Sequence, residues 1–202
     1  MKKHNIRNMV QIAILGTMAN VLLLVRFPLP FMPPFMDFDL SGVPEMAGAF
    51  LMGPAAGVLV AFIKIVLKLI TSGTSSMFTG ELQNLIVSSA YVLPAGIIYK
   101  RMKTKKGALV GIIVGTLVCT VVAVFSNMYI IIPFYAKAYN LNMEQIIEMT
   151  QAVNRFVDSE LKFIVLGVVP FNLIKGGVTS MIIHSIYPIL MRIIQKESNH
   201  AV

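Results

Sequence analysis

The residues that could do chemistry in this 202-residue chain are polar side chains set inside apolar stretches. Asn172 and Lys175, at i and i+3, share one helix face just after Pro170. Lys64 and Lys68, at i and i+4, share another, and Asn127 stands near the end of a long apolar run. Amides and ammonium groups in such surroundings are costly unless they face a cavity, a partner or a ligand, so they point to hydrogen-bonded recognition of a solute. For Lys64 and Lys68 a simpler account competes, in which both snorkel to the membrane interface. Lys175 lies too deep for that, and no acid within the apolar spans offers itself as an internal partner, which favours a ligand there.

Catalytic patterns are missing from the sequence. No G-x-x-x-x-G-K-[ST] phosphate loop occurs, and the nearest approach, Lys175-Gly-Gly-Val-Thr-Ser, has the wrong order. No H-E-x-x-H, G-x-S-x-G or paired Cys/His spacing occurs either, so no metal site and no enzyme activity is expected. His4 and His200 fall in the tails, while His184 reads as a packed or interfacial side chain. The single cysteine, Cys119, reads as a small hydrophobe.

The elements that must hold these residues follow from composition. Hydrophobic residues make up 56% of the chain and charged ones 13%, with a mean hydropathy of +0.79. A soluble domain carries about 25% charged residues, so the chain reads as an all-α integral membrane protein rather than a soluble enzyme. Apolar runs predict one membrane domain over 1–202, with helices at roughly 9–26, 43–53, 54–71, 81–99, 107–134 and 163–194. Four prolines between 27 and 42 forbid a helix and give a long Pro-rich first outer loop. The first helix reads as retained rather than as a cleaved signal.

Whether 43–70 is one helix or two, meeting at Gly53-Pro54, decides the topology. With two there are six transmembrane helices, and ten of the 17 basic residues, including five of the 100–106 loop, fall on the side of the termini. Basic residues mark the cytoplasmic side, so both termini are expected there, and eight of the nine acids fall outside. The net charge of +8 is then chiefly a topology signal and a contact for anionic lipid, and nucleic acid is not an expected partner.

Two loops complete an outward-facing pocket. Segment 27–42 brings Phe27, Phe31, Phe35 and Phe38 together with Met32, Met36 and Asp37, an apolar lid for a planar solute. Segment 71–80 adds hydroxyls and glycine backbone beside Glu81, Gln83 and Asn84. Few polar groups on apolar walls is the composition of a small-molecule site.

The block from Phe35 through D-F-D-L-S-G-V-P-E-M and G-P-A-A-G to Val58, then T-S-G-T and G-E-L-Q-N, resembles the riboflavin branch of the S components of energy-coupling factor transporters. The resemblance covers essentially the whole chain. It implies a high-affinity vitamin-capture subunit of a multi-pass protein of the bacterial cell membrane. Its implied partners are a coupling protein of the EcfT type and two ABC-type ATPases, which drive release inside. It implies riboflavin as bound substrate, with FMN a second candidate, and no cofactor. By resemblance Asn172 and Lys175 bond the flavin, with Asn127 a third, while Phe38, Leu40, Lys64, Gly80, Glu81 and Asn84 complete the pocket. The family docks through small residues on the first helix; here Ala13-x-x-x-Thr17 and Gly16-x-x-x-Asn20 stand in place of its A-x-x-x-A. The alternatives are an S component for thiamine, folate or pantothenate and a secondary transporter working alone, although mid-membrane carboxylates for ion coupling are not evident.

Overall fold

The computed structural model describes residues 3–30, 32 and 36–199, so Phe31 and Phe35 of the expected lid lie outside the described residues. The chain is almost entirely helical. Helix α1 runs Lys3–Leu24, α2 Gly42–Met52, α3 Pro54–Ser72, α4 Thr79–Met102 and α5 Lys105–Ser126. A π-helical segment, Asn127–Ile131, carries α5 into α6, Ile132–Tyr139. Short helices α7, Met143–Gln151, and α8, Glu160–Phe163, follow, and a second π-helical segment, Ile164–Val168, leads into α9, Val169–Asn199. Two-residue strands β1, Phe27–Pro28, and β2, Asp37–Phe38, pair antiparallel and pin both ends of the proline loop.

Among the described residues, five stretches are long and apolar enough to cross a membrane: 6–24, 54–72, 79–102, 105–139 and 160–193. Their outward faces carry large apolar side chains at helical spacing. Ile113, Leu117, Val121 and Phe125 form one such stripe on α5, each at least half exposed. Water would not tolerate this surface, whereas lipid does. Helix α2, with 11 residues, extends only about 16 Å at 1.5 Å per residue and is not one of the five.

The chain breaks at Gly53-Pro54. Gly53 takes φ +104°, a conformation open to glycine, and Pro54 starts α3 where a missing N–H costs nothing. Helices α2 and α3 then pack antiparallel, with Gly57 against Ala49 and Gly48 against Val60. Helix α4 turns into α5 through Lys103 in left-handed backbone, and the Thr104 side chain caps α5 by accepting from the Gly107 amide at 3.0 Å. Gly111 and Gly115, one turn apart, let α5 lie directly on the Ala95 and Tyr91 backbone of α4. One core, with Met46, Phe50, Tyr91, Val92, Tyr99, Ile112 and Ile183, fills the bundle towards the Lys103 end. A second, with Ala123, Ile132, Ile146, Val157, Phe163 and Val168, binds α5–α7 to the start of the last span at the Gly73 end.

Helix α9 runs without a break through Pro170, Gly176 and Gly177, residues that each loosen a helix interior. The wide turn lies before Pro170, over Ile164–Val168, where the Val169 amide bonds back to Ile164 rather than to a residue four earlier. Gly176 serves close packing instead, facing Thr116 of α5.

Candidate functional site

At the Gly73 end the elements enclose a cavity of about 210 Å³. Its two sides differ in chemistry. Ser41, Glu45, Gln83, Asn84 and Ser88, from the start of α2 and from α4, make a polar wall. Met36, Ile131, Ile132, Tyr135 and Ile146, from the loop, the first π-helical segment, α6 and α7, make an apolar one. Between them, on the first π-helical segment and α9, stand Asn127, Asn172 and Lys175 with Phe171, Gly176 and Thr179.

Both asparagines are tied to the π-helical segments. Asn127 Nδ2 donates to the Ala123 carbonyl at 2.7 Å and Asn172 Nδ2 to the Val168 carbonyl at 2.8 Å. Each segment precedes a proline, Pro133 or Pro170, whose missing N–H disturbs the regular ladder. Each amide fixed in this way keeps its Oδ1 acceptor and one N–H for another partner.

Lys175 has a partner that sequence reasoning missed. Its Nζ lies 2.7 Å from Asp39 Oδ2, with the Asp39 side chain 3% exposed and that of Lys175 22% exposed. The search for an acid was confined to the apolar spans, whereas the partner comes from the loop, because residues 39–41 follow β2 down into the protein rather than staying on the surface. Asp39 also accepts from the Ser41 amide at 2.8 Å. Burial pushes its carboxyl pKa up, but the charges of Lys175 and Lys64 and the hydrogen bonds from Lys175 and Ser41 outweigh it, leaving it below the ordinary 3.8. A depressed carboxyl stabilises the fold above its unfolded pKa, and that contribution disappears as pH falls through the folded value. Melting temperature in detergent is therefore expected to be insensitive to this pair from neutral pH to about 4. It should then fall at lower pH less steeply in Asp39→Asn than in the parent.

Lys64 and Lys68 are turned inwards, each onto an internal acid. Lys64, 1% exposed, pairs with Glu45, and its ammonium donates to Ser41 Oγ at 3.1 Å and to Asn84 Oδ1. Lys68 pairs with Glu81, whose other oxygen accepts from Ser76 Oγ at 2.8 Å and Thr74 Oγ1 at 3.1 Å.

Of the expected site residues, Asn127, Asn172, Lys175, Gly80 and Asn84 line the cavity. Lys64 and Glu81 lie behind the wall as ion-pair members, so neither is a surface for a ligand. Phe38 is buried against Phe27, ring centroids 5.2 Å apart, and Leu40 accepts the Val43 amide at the start of α2; neither lines the cavity. Sequence reasoning missed Ser41, Glu45, Ser88, Tyr91 and Thr179. Ser88 was accessible, since it lies four residues after Asn84 on the same face. On α1, Ala13 and Thr17 border an exposed shallow groove, but Gly16 is buried against Ile63 of α3 and is not available for docking.

A multi-pass helical membrane protein holding a pocket that is polar on one side and apolar on the other is the architecture of a solute-binding membrane subunit. The family model described as "ECF transporter, substrate-specific component" matches residues 7–187, and the chain belongs to that family. It is 31% identical over 182 residues to riboflavin transporter RibU of Staphylococcus aureus (strain TCH60), covering 90% of this chain and 88% of that one. It is 30% identical over 184 residues to riboflavin transporter FmnP of Bacillus subtilis (strain 168), covering 90% of each. A solved structure, described as the S component of a bacterial ECF transporter, superposes with a TM-score of 0.73 at 29% identity, covering 94% of this chain and 98% of that one.

Proposed function

We propose that this chain is the riboflavin-capturing S component of an energy-coupling factor importer. The observation that carries the reading is the convergence of Asn127, Asn172 and Lys175 on one cavity whose opposite side is apolar. Riboflavin is a flat ring system with an imide edge, two carbonyls flanking an N–H, and a polyol tail. Fixed asparagine amides match that edge, since each offers an acceptor for the N–H and a donor for a carbonyl. Lys175, held by Asp39, supplies a charged donor, and Ile131, Ile132, Tyr135 and Ile146 take the dimethylbenzene portion. The names of the two relatives support the same ligand.

In this reading the short α2 makes a pass of its own beside α3 and completes six passes, with both termini cytoplasmic and the cavity open outwards. An EcfT-type coupling protein docks on the exposed face of α1 around Ala13 and Thr17, and two ABC-type ATPases supply the energy. FMN is a second candidate ligand. Protein purified from cells grown with riboflavin is expected to carry a flavin absorbance near one equivalent. Failure of ligand-free protein to bind riboflavin at micromolar concentration overturns the reading.

A further inference from the structure

Glu45 has no role in the site as described so far, yet it is 1% exposed and lines the cavity. Its Oε1 faces the Lys64 ammonium, while Oε2 is buried with no hydrogen-bond partner among the described residues. A carboxylate oxygen left without a donor in such a place costs free energy, so it calls for one. Lys64 sits centrally behind this wall: it also binds Ser41 and Asn84 and approaches Ser88 Oγ at 3.4 Å. Asn84 and Ser88 are bonded to each other as well. One lysine thus neutralises Glu45 and donates to its neighbours, which turns the Ser41 hydroxyl towards a partner of its own while Ser88 donates to Asn84.

We infer that Glu45, with Lys64 as its positioning residue, is the specificity determinant for the hydroxylated part of the ligand. Oε2 accepts from a ligand hydroxyl, and Ser41 and Ser88 exchange hydrogen bonds with neighbouring hydroxyls. The compensated charge makes this wall suited to a neutral polyol and unsuited to a carboxylate or phosphate. The inference rests on the riboflavin reading and divides the labour of the pocket, with Asn127, Asn172 and Lys175 on the ring edge and Glu45 on the chain.

The test uses two ligands on the full chain in detergent: riboflavin, and lumiflavin, which keeps the ring and carries a methyl in place of the polyol. Riboflavin binding by the parent protein is measured first, and its absence overturns the proposed function itself. Given that binding, Glu45→Gln is expected to weaken riboflavin about 10-fold or more, as for loss of a charged hydrogen bond. Lumiflavin affinity should change less than about 2-fold, within the range of neutral substitutions. Because Glu45→Gln strands the Lys64 charge, the double variant Glu45→Gln/Lys64→Met removes both charges and is expected to fold with the same selective loss. Equal weakening of both ligands, or of neither, in the double variant overturns the inference.

Discussion

Lys175→Ala is expected to damage the protein twice, in ways a second substitution separates. Removing the ammonium leaves Asp39, 3% exposed in its side chain, charged and without its cation. Stranding a buried partner costs about 3 kcal/mol, which should appear as a lower melting temperature in detergent. The same variant should lose about 10- to 100-fold in riboflavin affinity, the worth of a charged hydrogen bond. Asp39→Asn/Lys175→Met removes both charges at similar size. It is expected to recover the melting temperature but not the affinity. Recovery of both would reassign Lys175 to structure alone.

Gly115→Val is the second large effect. A Cβ at Gly115 would lie 2.5 Å from the Tyr91 carbonyl oxygen, and backbone cannot swing aside as a side chain can. Helices α4 and α5 must separate, at an expected cost of about 3 kcal/mol, the upper end for overpacking. Tyr91 lines the cavity on the same helix, so the flavin site should loosen too. Gly177→Ala is the control. Nothing lies within 4 Å of its added methyl, and a mid-helix glycine exchanged for alanine should leave stability equal or raised by up to about 1 kcal/mol. Thermal unfolding in detergent of the three proteins decides the matter; equal melting of Gly115→Val and parent would refute the packing argument.

What could be read from the sequence divides along a physical line. Local features were legible. Gly53-Pro54 announces a break because both residues dislike a helix interior, and Asn172 with Lys175 share a face by spacing alone. Contacts between distant segments were not. Asp39 and Lys175 are 136 positions apart, and nothing in either neighbourhood says that the strand-pinned loop turns inward. Glu45 counted only as one of the acids on the outer side for the same reason, because nothing in its neighbourhood says that α2 begins inside the protein. The wide turns were half legible. Pro133 and Pro170 disturb the ladder, but a proline does not say whether the helix breaks after it or widens before it.

The wide turn over Asn127–Ile131 has a consequence for phase. In an unbroken α-helix each residue advances about 100°, so Ile131, twelve residues beyond Cys119, would point about 120° away from it. Bonding to the fifth residue rather than the fourth absorbs one extra residue and subtracts one such step, which brings the difference to about 20°. Cys119 and Ile131 accordingly border the same space. A single unspent residue thus turns the later part of this span to look inwards, while its earlier part keeps the register dictated by Gly111 and Gly115. Deleting one residue there would not shorten the pocket wall; it would turn that wall towards the lipid.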